Sequence, residues 1–258
     1  MLKTGEEIIN FINFHKKFID ENSEKIKTHD KKLKSRWLWG FGTSAYAVSL
    51  GYLVLNDKKN AVSWFNKSSG FYLRCADLHL QTKQYFGINK TFTETAALQV
   101  IKSCVLSINK KSINKITDYI IENRPEAFGS DLIYNYVLAL SLFIICSKNS
   151  GKYKHKHLIQ QVKKLSESEK KQKGNVSGYY KGTKDVLAGL SENNKEKFFK
   201  GINKILSSFC RSLPKTGDLP VCTDAVMILL IAKDRGMEIN IKNISRKYHK
   251  YIASCLFQ

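Results

Sequence analysis

Hydrophobic residues return at three- and four-residue intervals along nearly the whole chain, the period of an amphipathic helix. Thr4-x-x-Glu7 is a capping box, and Ile8, Ile9, Phe11, Ile12, Phe18 and Ile19 behind it form a broad apolar face. A basic connection over residues 25–36 follows, and the next helix is expected over 44–55. Asn56-Asp57 caps a third helix, in which Ala61, Trp64, Phe65, Tyr72, Cys75 and Leu78 share one side. Thr91-x-x-Glu94 is a second capping box, ahead of Ala96, Ala97, Val100, Ile101 and Cys104. Ile113, Ile116, Tyr119 and Ile120 mark a shorter helix that ends before Pro125. Residues 132–146 are apolar on nearly every side, as a central helix would be.

The pattern changes over residues 148–173, which hold nine Lys, two Glu and two His. This stretch is the candidate subdomain hinge, extending to about residue 176, with an exposed loop from Lys170. Gly178 to Lys184 predicts a loop entering a helix closed by Val186, Leu187 and Leu190. Phe198, Phe199, Ile202, Ile205, Leu206 and Phe209 build another helix. Asp218-Leu219-Pro220 predicts a helix start and Arg235-Gly236 its stop. A brief extended piece at 238–241 and a last helix over 243–256 complete the chain. No alternation supports a sheet and no period of about 34 residues repeats. The expectation is an all-α fold: one multi-helix domain of helical hairpins packed as a bundle or short α-solenoid. Only 3 Pro in 258 residues agrees with long helices and short connections.

Net charge changes the picture most, at +21 from 43 basic and 22 acidic residues. That excess suits a polyanionic partner, nucleic acid among them. Lys152, Lys154, Lys156, Lys163, Lys164, Lys170 and Lys171 are the candidate polyanion contacts. Only six of the cations are Arg, the residue favoured for specific phosphate and base recognition. A Lys, Asn, Ile, Tyr and Phe bias of the kind adenine- and thymine-rich codons produce accounts for part of the excess. Trp37 and Trp39 follow a cluster of lysines and offer either stacking platforms, interface anchors or a strip at the edge of the core.

Chemical motifs are scarce. The six cysteines contain no C-x-x-C pair, which fits a reduced cytoplasmic setting. His155 and His157 lie two apart among lysines, a poor arrangement for a metal. No G-x-S-x-G and no phosphate-loop motif occurs. Asp218 and Asp224 flank a helix start, where negative charge complements the helix dipole. The sequence therefore predicts no cofactor, no metal and no enzymatic activity. No signal peptide is expected, and both apolar stretches, 44–55 and 132–146, are too short to span a bilayer.

The chain resembles the Immunity protein 49 family, helical proteins linked to bacterial polymorphic toxin systems. Three segments carry the likeness. They are Ala61-Val62-Ser63-Trp64-Phe65 running into Phe71-Tyr72-Leu73; residues 185–213, a short helix, polar turn and amphipathic helix; and residues 219–241, with Ala232-Lys233-Asp234-Arg235-Gly236 closing an apolar helix. The resemblance implies a non-enzymatic immunity protein that binds and neutralises a cognate toxin in the cytoplasm. It supplies no catalytic residue. The positive charge departs from what an inhibitor of a basic nuclease needs. A local acidic patch would meet that need, and Glu6, Glu7, Asp20, Glu21 and Glu24 could supply one. Together with Trp37 and Trp39 they are the candidate partner contacts.

Overall fold

Side-chain caps set most of the helix starts. The structure, a computed structural model, describes residues 4–28, 30–83, 86–88, 92–126, 131–146, 155–171, 178–216 and 219–257. Thr4 opens α1 (Gly5–Asn22) with both halves of the capping box: its hydroxyl accepts from the Glu7 N–H at 3.2 Å, and the Glu7 carboxylate accepts from the Thr4 N–H at 3.0 Å. A short α2 (Lys25–Thr28) leads to α3 (Lys31–Val54), where Asp30 accepts from the Leu33 N–H at 2.8 Å. Asp57 caps α4 (Lys58–Thr82) as its position predicts. Then come α5 (Glu94–Leu106), α6 (Lys110–Asn123), α7 (Asp131–Cys146) and α8 (His155–Lys171). The chain continues with α9 (Gly178–Ser191), α10 (Lys195–Thr216) and α11 (Thr223–Asp234). Three 3₁₀ segments, Ile241–Asn243, Arg246–Tyr251 and Ser254–Phe257, complete the described chain. Among the described residues the only β pairing is an isolated bridge between Thr93 and Glu126.

Each long helix packs on the next in sequence: α1 on α3, then α3 on α4 and so on to α9 on α10. This is the hairpin succession of a short solenoid, and α11 closes it by returning against α5. One continuous core of buried side chains runs from Ile19 on α1 to Leu256 near the C-terminus. Backbones meet most closely in the α9–α10 hairpin, where a Cβ on Gly189 would stand 2.5 Å from the Phe198 nitrogen. The all-α expectation holds for the described residues, and α7 is buried nearly all round, as its sequence predicts.

Six local expectations need correction. Lys170 and Lys171 belong to α8 rather than to a loop, and residues 148–154 and 172–176 of the candidate hinge lie outside the described residues. Residues 25–36 are largely helical rather than a connection, because lysine is a good helix former and Leu38 and Phe41 extend the apolar register upstream of Ser44. The α5 cap is Thr93, whose hydroxyl accepts from the Ala96 N–H at 3.3 Å; Thr91 lies outside the described residues. Gly178 to Lys184 form the first turns of α9, not a loop. Helix α11 starts at Thr223 rather than at Pro220: the Cys222 N–H donates to the Tyr251 carbonyl at 2.8 Å and ties that end to the C-terminal segment. Asp218 itself lies outside the described residues. The last expected helix is instead a series of 3₁₀ turns interrupted by extended Ile244 and Ile252. The extended residues redirect the chain so that Ile244, Tyr248, Ile252 and Leu256 are all buried.

Candidate functional site

The acidic candidates come together on one helix. A step of fourteen residues brings a helix back to nearly the same side, so Glu6 and Asp20 align, as do Glu7 and Glu21. All four are exposed, and Glu24 is exposed in the turn that follows. Ile8, Ile12 and Ile19 occupy the opposite side and are buried. The seat beneath them is tight: a Cβ on Gly51 of α3 would come within 2.5 Å of the Ile12 Cγ1. Lys16 pins the inner edge by donating to the Tyr52 hydroxyl at 2.7 Å and lying 5.5 Å from the Trp64 ring.

Between the carboxylates stand Phe14, which the periodicity does not single out, and Ile9, which the pattern puts on the apolar face but which α1 turns outward. Phe14 is 67% exposed and Ile9 is 49% exposed. An exposed aromatic framed by charge is the composition of a protein-binding patch. Lys17 lies 3.6 Å from Glu21 and Lys27 lies 2.9 Å from Glu24, but both pairs are exposed, so water screens them.

The two tryptophans have a different setting. Both sit within α3, half-buried against the core. Trp39 packs against the tilted Tyr72 ring at 4.8 Å and edge-to-face with Phe86 at 6.0 Å. Trp37 packs between Phe18 and Phe41, with the Lys25 ammonium 4.4 Å above its ring. Of the alternatives open in the sequence, this is the strip at the edge of the core.

On α8, Lys156, Lys163 and Lys170 recur every seven residues and are exposed, with exposed Lys164 beside them and Glu167 in their midst. Lys152 and Lys154, and the side chain of Lys171, lie outside the described residues. Helix α8 packs on α7 and α9, whereas α2 and the start of α3 belong with α1 and α4. The two lysine-rich stretches thus sit at different places in the helix succession.

Sequence reasoning missed an interior polar cluster, because four separate helices supply it. Lys102 of α5 lies 2.9 Å from the Asp224 carboxylate in the first turn of α11, with side chains only 13% and 20% exposed. Burial acts to depress the Lys102 ammonium, but Asp224, with Tyr46 behind it, more than reverses this and holds the pKa above its ordinary value. Tyr46 from α3 and Tyr136 from α7 adjoin, both with hydroxyls pushed upward chiefly by burial. The Tyr136 hydroxyl has no hydrogen-bond partner among the described residues. Cys222 is raised to about 12, again by burial before the charge of Asp224. A protonated lysine and a protonated thiol are poor nucleophiles at neutral pH. The pair is placed to clamp α5 to α11.

Cys75 is buried and its thiol is raised to about 12 by that burial. His79 meets the Tyr119 hydroxyl at 2.5 Å within a ring of Phe86 and Phe92. Its pKa is lowered, first by burial and then by Lys83. Among the described residues no three His, Cys, Asp or Glu side chains converge as a metal would require, and no helix is long and apolar enough to cross a membrane. No family model, no curated protein and no solved structure matches the chain.

Proposed function

We propose that this protein is a non-enzymatic immunity protein, which binds a cognate bacterial toxin in the cytoplasm through the outer face of α1 and occludes the toxin's working surface. One observation carries the reading. In a chain of net charge +21, α1 concentrates four exposed carboxylates around exposed Phe14 and Ile9 on a helix firmly seated from below. Such a face suits a cationic partner surface with an apolar socket. The carboxylates steer association and the aromatic ring supplies contact energy. The resemblance to the Immunity protein 49 family supports the same reading.

The test is co-expression with the product of the neighbouring gene in the source genome, followed by affinity capture at low and at moderate salt. The expected outcome is restored growth and one stoichiometric protein that survives the salt wash. Capture of nucleic acid that is lost as salt rises would instead favour a basic nucleic-acid-binding protein, with the Lys156, Lys163 and Lys170 row as its contact.

A further inference from the structure

A cleft of about 420 Å³ opens where the C-terminal ends of α5, α7 and α11 meet the start of α6 and the last 3₁₀ segment. Its walls are apolar: Val105, Ile113, Ile144, Leu230 and Leu256, with Ile108 at the lip. The rim is cationic. Lys58, Lys110, Lys233 and Arg235 line it, against one carboxylate, Asp234, which sits 3.2 Å from Lys110. The four cations are not equivalent. Arg235 donates to the Phe143 and Ile144 carbonyls at the end of α7, and Lys233 to the Phe257 carbonyl, so both serve the fold. Lys58 and Lys110 stand in the first turns of α4 and α6, whose positive dipole ends oppose the negative C-terminal ends of α5, α7 and α11.

The lip carries a second observation. Ile108 sits in the α5–α6 turn at φ +56, the left-handed region, and is 45% exposed. A β-branched residue is strained there, and glycine or asparagine would serve the turn better. The turn keeps a large apolar side chain at the mouth of an apolar cleft instead. Strain retained at such a place points to a bound molecule that the side chain contacts.

We propose that the cleft binds a free medium-chain fatty carboxylate, its chain among Ile108, Ile113, Leu230 and Leu256 and its head at Lys58 and Lys110. The volume falls in the range of small-molecule sites, about 300–1,000 Å³. The apolar walls select a hydrocarbon, and the cationic edge selects a single negative head. Asp234 competes with that head for Lys110.

Calorimetric titration of the full chain with decanoate, decanol and decyltrimethylammonium tests this. Decanoate binds at one site per chain, with decanol weaker by about tenfold, the worth of a charge-assisted contact. Decyltrimethylammonium does not bind. Asp234→Asn tightens decanoate and leaves decanol unchanged. Leu230→Trp fills the cleft and abolishes binding of both. Ile108→Gly separates strain from contact: the melting temperature rises while decanoate affinity falls by about tenfold. Phe14→Ala leaves decanoate binding intact, so the result stands apart from that of the toxin test. Equal affinity for decanoate and decanol, or decanoate binding that survives Leu230→Trp, overturns the proposal. So does failure of decanoate to bind, whether or not phosphatidylglycerol vesicles capture the protein.

Discussion

Two regions of this molecule hold carboxylates beside lysines, and they differ in almost every physical respect. The Lys102–Asp224 pair lies between α5 and α11, sealed among Tyr46, Tyr136 and Cys222. The outer face of α1 holds Glu6, Glu7, Asp20 and Glu21 in water around Phe14. Perturbed titration, the usual signpost of a functional site, marks the interior pair. There, against the pull of burial, the Asp224 charge raises Lys102, and the result is an ammonium held protonated, a poor nucleophile. The surface face carries instead a large aromatic, Phe14, that is 67% exposed. In the proposed reading, a large exposed side chain on a firmly seated helix, rather than a shifted pKa, marks the binding face.

The largest expected effect falls on the interior. Lys102→Met removes the cation that faces the largely buried Asp224, and the expected loss of unfolding free energy is about 3–5 kcal/mol, read by chemical denaturation. Adding Asp224→Leu to that variant restores most of the loss, because apolar residues of similar volume replace a buried pair at little net cost. A double variant as unstable as the single would show that the pair does more than join two helices.

The same perturbation on α1 behaves differently. Phe14→Ala shifts stability by no more than about 0.5 kcal/mol. It weakens partner binding by about 2 kcal/mol or more, as loss of a central aromatic anchor does. Smaller still is Tyr136→Phe. Removing a buried hydroxyl that lacks a partner among the described residues leaves the melting temperature unchanged or raises it.

Acid affects two half-buried histidines. His15 and His79 both have lowered pKa values, burial being the main cause. The unfolded chain therefore binds protons first as pH falls through about 6.5, and stability declines below that value. Melting curves between neutral and mildly acidic pH check this, and His79→Gln flattens the dependence. An unchanged slope would assign the effect to other groups.

Much of the fold was legible because helical periodicity and short-range caps are local. Thr4, Asp57 and the apolar run of α7 act within a few residues of themselves, and their elements lie where the pattern puts them. The failures came where distant contacts override local preference. The Tyr251 carbonyl takes the Cys222 N–H and displaces the start of α11, and extended Ile244 and Ile252 break what would be one C-terminal helix. The acidic stripe of α1 follows from the fourteen-residue spacing alone. The Lys102–Asp224 pair could not be found that way, since no local pattern links residues on two helices so far apart in sequence. Phe14 was visible in the sequence only as another aromatic. Its meaning depends on which side of α1 the isoleucines bury.

The most direct test sets the α1 face against the α8 lysine row in one growth assay. The neighbouring gene of the source genome is co-expressed with the wild-type chain, with Phe14→Ala combined with Glu21→Lys, or with Lys163→Glu combined with Lys170→Glu. The α1 variant is expected to lose protection while keeping its melting temperature, and the α8 variant to protect like wild type. Protection lost with the α8 variant and retained with the α1 variant would contradict it.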